Sequence, residues 1–174
     1  MAHPDNWIPN TGRPIGGRTV VLDLDGVISD ATHRQHFVDA PRARDKDWRG
    51  FFRACVDDPV VTHGVALAAS VSADHCLVIL TARVDDIRAQ TIEWLAANEI
   101  RHDWLILRGP HDGGPSVEWK RCQLESLRDA GADIDMCADD DPRNVEMMRS
   151  LGIPSLYIPS GYYAARDAAS TEYR

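Results

Sequence analysis

The sequence predicts an α/β protein: a Rossmann-like parallel sheet flanked by helices, with a small insertion after the first strand. Three observations lead there. A β-branched apolar run at 18–24 is followed by short strand candidates at 76–80, 104–108, 135–139 and 155–159. Helical patterns lie between them, and strands alternating with helices build parallel sheets through right-handed crossovers. The chain has 174 residues, enough for one domain with a sizeable core.

Residues 1–18 carry Pro and Gly/Asn breakers with little periodicity, and read as an N-terminal arm, extended or loose. Residues 19–174 are expected to form a single domain. "RTVVLDL" is long and apolar enough for a central buried strand. Residues 31–62 then interrupt the alternation as a small cap-like insertion, with a short helix expected at 47–56. "GVALAASVSA" is the next helical pattern, followed by the strand "CLVIL". "VDDIRAQTIEWLAANE" places Ile87, Thr91, Trp94 and Leu95 on one helical face, and "WLILR" is a strand. "SVEWKRCQLESLRDAG" ends on a glycine, as helices often do. "DMCAD" is a strand, and "DPRNVEMMRSLG" sets Pro142 in a first turn and Gly152 just past the end. "SLYIP" is the last strand candidate.

Composition narrows the function. Hydrophobic residues make up 44% and charged ones 26%, which fits an ordinary soluble globule. No apolar run approaches the ~20 residues that span a bilayer, and the N-terminus lacks a secretory h-region, so a cytoplasmic location is expected. The net charge of −8 argues against a broad duplex-binding surface, while leaving room for one nucleotide or a strand end. Cys55, Cys76, Cys122 and Cys137 form no C-x-x-C pair, which argues against a zinc knuckle or redox motif.

In parallel sheets ligands bind beyond the carboxyl ends of the strands. The first strand ends on Asp23 and Asp25, followed at once by Gly26. The second ends on Thr81 and Arg83, the fourth on Asp139, Asp140 and Asp141, and Lys120 lies on the helix between the third and fourth. Carboxylates meeting on neighbouring strands repel unless a cation lies between them. Hard oxygen donors suit Mg2+, which keeps several waters and is commonly shared with a phosphate. A carboxylate can also attack phosphorus and form an aspartyl-phosphate.

D-x-D-G after the first strand, T-x-R after the second, a later Lys and D-D after the fourth resemble the motif set of the haloacid dehalogenase superfamily, in order from residue 20 to about 160. "DLDGVISDATHR", "ILTAR", "VEWKRCQLESL", "ADDDPRNVEMMRSLG" and "PSGYY" look more narrowly like the 3′-phosphatase domain of phage polynucleotide kinase/phosphatase. The resemblance implies a haloacid dehalogenase fold and a Mg2+-dependent phosphatase. It makes Asp23 the nucleophile and a metal ligand. Asp25 becomes the general acid and base, its backbone carbonyl meeting the metal. Gly26 permits a sharp, mobile turn that admits or excludes water. Thr81 holds phosphoryl oxygens, Lys120 steadies the charge between Asp23 and phosphate, and Asp139 and Asp140 hold Mg2+. Arg34 and Arg83 become contacts to substrate phosphate or to the transition state. Two positions depart from the narrower pattern: Ser116 stands where an acid is usual, and Asp141 where a basic residue is usual.

Blander readings compete at several positions. Thr81 could cap a helix starting near Val84, Arg83 could be a solvated first-turn residue, and Lys120 could be a surface lysine. Asp141 reads best as a helix N-terminal acid. His33 and His36 read as a flap or helix surface, since no third soft ligand is evident. Trp48, Phe51 and Phe52 read as packing a short helix onto the core, with a base-stacking platform as the alternative. "GYY" at 161–163 either closes over the site or anchors the terminus.

The expected function is a phosphomonoesterase acting on a phosphorylated nucleotide or nucleic-acid end, a terminal 3′-phosphate first. No G-x-x-x-x-G-K-[ST] stretch occurs, so no P-loop kinase half is expected in this sequence, and a separate kinase or ligase is a candidate partner. The alternatives are a small-molecule (deoxy)nucleotide 5′-phosphatase and a non-catalytic phosphate- or nucleotide-binding module.

Overall fold

A computed structural model describes residues 3–40 and 42–163. Its centre is a six-stranded sheet built from β1 (Trp7–Pro9), β2 (Gly17–Leu22), β3 (Cys76–Val84), β4 (Trp104–Arg108), β5 (Ala132–Asp139) and β6 (Ser155–Tyr157). Their spatial order is β1-β4-β3-β2-β5-β6. The five strands expected from the sequence are all present and mutually parallel, with β2 between β3 and β5.

The sheet is covered on both faces, as alternating side chains along the central strand require. Val21 joins an apolar cluster with Leu124, Leu127, Met147 and Met148, from α4 (Ser116–Asp129) and α5 (Pro142–Ser150). Val20 and Leu22 join the opposite cluster, with Ala68 of α2 (Thr62–Ser70) and Trp94 and Leu95 of α3 (Arg88–Ala97). Ile87, Thr91, Trp94 and Leu95 are all buried, so the face expected from the helical period is the one that packs. Gly131 (φ 96°) follows α4 in the left-handed region, where L side chains are strained. Cys55, Cys76 and Cys137 are buried free thiols, and Cys122 is exposed.

Two segments outside the five expected strands bear on the site. Part of the arm is strand rather than tail: Trp7–Pro9 pairs antiparallel with β4, in register Trp7↔Ile106. Trp7 is buried and its indole Nε1 donates to Gln123 Oε1 of α4 at 2.8 Å. The segment after β2 is mostly short turns of helix: 3-10 turns at Thr32–Phe37, Ala43–Asp45 and Ala54–Asp57, and α1 at Trp48–Arg53. It folds back through an antiparallel bridge between Ser29 and Val60, and so lies over the carboxyl end of β2.

Candidate active site

The register of the sheet brings the acids together. Leu22 pairs with Ile79 on one side and Ala138 on the other, so Asp23 emerges beside Asp139. The backbone N–H of Asp23 donates to Ala138 O at 2.9 Å, fixing that placement. Asp23, Asp139 and Asp140 each offer a carboxylate oxygen within 4.8 Å of the others. Lys120 enters from α4, fully buried, with Nζ 2.8 Å from Asp23 Oδ2 and 2.6 Å from Asp139 Oδ2. The surface-lysine alternative therefore fails. Burial alone would discharge Lys120, but Asp139 and Asp23 outweigh it and hold the ammonium above its ordinary value.

One lysine does not balance three buried acids. Burial, opposed by Lys120 and reinforced by Asp139, pushes the Asp23 carboxyl up to about 7. Burial and then the charges of Asp23 and Asp139 push Asp140 up to about 9. Asp140 Oδ2 is buried with no hydrogen-bond partner among the described residues. An orphaned hard oxygen beside two further carboxylates is a donor set that fits a divalent cation such as Mg2+. Asn144 supports the set from α5, its Nδ2 donating to Asp139 Oδ1 at 3.0 Å. Asp141 caps that helix, accepting from Arg143 N at 3.0 Å, in line with its reading as a helix N-terminal acid.

Asp25 faces a different environment. Its Oδ1 accepts from Arg34 Nη2 at 2.6 Å and from Arg83 Nη2 at 2.6 Å and Nε at 3.0 Å. Burial alone would raise its pKa, but Arg83 and then Arg34 outweigh burial and hold it below the usual carboxylate range. Both arginines are fully buried, so Arg83 is no solvated first-turn residue. Each is also bound to Asp58: Arg34 Nη2 and Arg83 Nη2 lie 2.6 and 2.8 Å from its Oδ2. His33 Nε2 stands 2.8 Å from Asp58 Oδ1, and Ser29 Oγ donates to Oδ2. Sequence reasoning aimed the two arginines at substrate phosphate and missed Asp58. Here the arginines sit behind Asp25 and outside the cleft lining, because two carboxylates hold both guanidinium groups. Charge accounting could have found Asp58: two arginines entering a core with one free acid call for another.

Thr81 lies inside β3, buried, its Oγ1 accepting from Arg83 N at 3.2 Å. It caps no helix, since α3 begins only at Arg88 after a 3-10 turn. Gly26 turns with φ 82°, and a Cβ there would stand 2.0 Å from Asp140 Oδ2. Gly26→Ala is therefore expected to destabilise the protein by about 1–3 kcal/mol, and to displace Asp140. Denaturant unfolding reads the first effect and loss of metal affinity the second. Wild-type values for both would show that the turn absorbs a side chain.

A cleft of about 970 Å³ opens over these groups. Asp23, Asp25, Thr81, Lys120 and Asp140 line its floor. Trp48, Phe51, Phe52, Tyr162 and Tyr163 line its sides. Tyr162 donates to Asp30 Oδ1 at 3.0 Å and accepts from Ala31 N at 2.6 Å, so the "GYY" segment is pinned across the cleft. Phe51 packs inward over Arg34, whose guanidinium carbon lies 4.2 Å from the ring centroid.

No family model matches the sequence, and no curated protein matches it significantly. Solved structures do share its fold. A chain of the Pnkp1/Rnl/Hen1 complex superposes with a TM-score of 0.65 at 21% identity, over 87% of this chain and 48% of that one. The class C acid phosphatase of Bacillus anthracis gives 0.57 at 15% identity, over 87% of this chain and 70% of that one. A haloacid dehalogenase-like hydrolase of Streptococcus pneumoniae gives 0.50 at 17%, over 80% and 83%. This protein thus has the fold of the haloacid dehalogenase-like hydrolases, and its motifs resemble those of phosphatases within that group. It spans about half the length of the chains in the Pnkp1/Rnl/Hen1 complex that it matches.

Proposed function

We propose that this protein is a Mg2+-dependent phosphomonoesterase working through an aspartyl-phosphate on Asp23, with a nucleic-acid or nucleotide 3′-phosphate as substrate. The observation that carries this reading is the meeting of Asp23, Asp139 and Asp140 with Lys120 at the strand ends, beside Thr81. Asp23, Asp139 and Asp140 would hold the cation, together with the Asp25 backbone carbonyl that the motif resemblance assigns. When bound, Mg2+ neutralises charge on the phosphoryl oxygens.

The chain's own groups account for the rest. A carboxylate oxygen of Asp23 attacks phosphorus as the ester P–O bond breaks. Lys120 and the Thr81 hydroxyl are placed to neutralise charge and to bond the phosphoryl oxygens. Water then attacks the acyl-phosphate, returning free Asp23 and inorganic phosphate. Both arginines grip Asp25 at Oδ1, and Asp25 lines the cleft. Asp25 is placed to give a proton to the leaving oxygen and then to take one back from the attacking water, the acid-then-base role that the motif resemblance assigns. The two arginines that hold it below the usual carboxylate range favour its base form.

The nucleic-acid part rests on the motif likeness and on the match to a chain from an assembly described as an RNA repair complex. The test is phosphate release from a 3′-phosphorylated oligonucleotide, beside nucleoside 3′- and 5′-monophosphates, with Mg2+ or EDTA. Mg2+ is also expected to raise the melting temperature, and Asp140→Asn to remove that rise. Release from 5′-monophosphates alone would overturn the 3′ assignment. Equal release in EDTA would overturn the metal.

A further inference from the structure

Charge explains the floor of the cleft, but one wall is unexplained. Trp48 is 48% exposed, although Phe51 on the same helix already packs that helix against Arg34. The Trp48 ring lies nearly parallel to Phe52, with 5.9 Å between centroids at 28°, and Phe51 braces it edge-on at 5.8 Å. Lys46 Nζ stands 5.7 Å from the indole centroid, adding positive charge beside the ring. Wetting so much of a tryptophan is unfavourable, and half-exposed aromatic rings beside a site commonly serve a ligand. The packing expected of these three aromatics thus holds for Phe51 and fails for Trp48.

Arg108 at the end of β4 is an independent observation in the same cleft. Its Nη1 donates to Gly114 O at 2.9 Å, while Nε and Nη2 are buried without a hydrogen-bond partner among the described residues. A guanidinium that rests on the Trp119 ring with two nitrogens unpaired, and a half-exposed indole, line one cleft and suit a ligand that is both anionic and flat. A sugar phosphate alone meets the first requirement and leaves the ring uncovered.

We propose that Trp48, backed by Phe52 and flanked by Lys46, is a stacking shelf for the nucleobase of a nucleotide whose phosphate lies at Asp23 and Lys120. The proposal rests on the phosphatase reading only for where the phosphate lies. Stacking on an aromatic face tolerates any base, so the shelf recognises a nucleotide without reading its sequence.

The test is equilibrium binding to the full chain carrying Asp23→Asn, with Mg2+ present, using adenosine 3′-monophosphate and the base-free ribose 3-phosphate. The base is expected to tighten binding about tenfold or more. Trp48→Ala should remove that advantage and leave ribose 3-phosphate binding unchanged, while Trp48→Phe should keep most of it. No preference for the base-bearing ligand, or equal weakening of both ligands by Trp48→Ala, would overturn the shelf. Trp48→Leu keeps apolar bulk without a π face and decides the matter should the alanine variant not fold: a retained base advantage there also overturns it. The phosphatase reading fails separately, if the protein with Asp23 intact releases no phosphate from adenosine 3′-monophosphate or ribose 3-phosphate while base-dependent binding persists.

Discussion

Asp23→Asn will abolish turnover while the fold stands. The substitution keeps the shape of the side chain and removes the nucleophilic carboxylate, so the covalent step has no attacking atom. Loss of a nucleophile typically costs about four to six orders of magnitude in rate. The fold is expected to tolerate the change for a reason visible in the charges. Burial pushes the Asp23 carboxyl up to about 7, so its ionised form is disfavoured in the protein without a bound cation. The sign follows directly. The folded pKa lies above the ordinary carboxylate value of 3.8, so ionising Asp23 costs stability that grows as pH rises from 3.8 towards about 7. Asparagine escapes that cost, and Lys120 keeps Asp139 as its partner at 2.6 Å. A melting temperature at pH 8 equal to or above wild type, beside lost phosphate release, is the expected pair of results. Turnover retained by Asp23→Asn would remove the aspartyl-phosphate mechanism.

Asp58→Ala carries the second large effect, and it falls on stability. Asp58 is buried, bound to Arg34 and Arg83, and touches no cleft-lining group other than through them. Its removal leaves two buried guanidinium groups sharing Asp25 alone. Breaking a buried ion pair by deleting one partner typically costs about 3–5 kcal/mol, because the survivor is left uncompensated. For a domain of this size that is a fall of roughly 6–20 °C in melting temperature. Activity should fall as well, since both arginines would close on Asp25. Asp58→Asn keeps acceptor atoms and should lose less. A wild-type melting temperature for Asp58→Ala would mean that Asp25 alone satisfies both arginines.

The parts of this molecule that were legible in the sequence share one property: they are local. Five strands announced themselves as short runs between helical patterns, and α3 through the spacing of Ile87, Thr91, Trp94 and Leu95. Asp23, Lys120, Asp139 and Asp140 could be brought to one edge because strand ends in a parallel sheet share a side. What escaped is set by pairing across long stretches of chain. Trp7–Pro9 is three residues long and becomes a strand only because β4 lies beside it. The direction of Arg34 and Arg83 depends on Asp58, which is 24 and 25 residues away in sequence. The cleft's aromatic wall needs α1 folded back over β2, which no periodicity in residues 31–62 encodes.

The two outer strands bear on how the protein behaves in a crowd. A sheet border offers unpaired N–H and C=O groups to any other chain, and so invites assembly into aggregates. Here β4 is shielded by β1, which is only three residues long and ends on Pro9, a residue with no N–H to offer. The opposite border, β6, is equally short and lies between Pro154 and Pro159. The long, sticky strands are thus kept inside, and each margin is too brief and too poor in donors to template a neighbour. The N-terminal arm thus covers what would otherwise be an open border of β4.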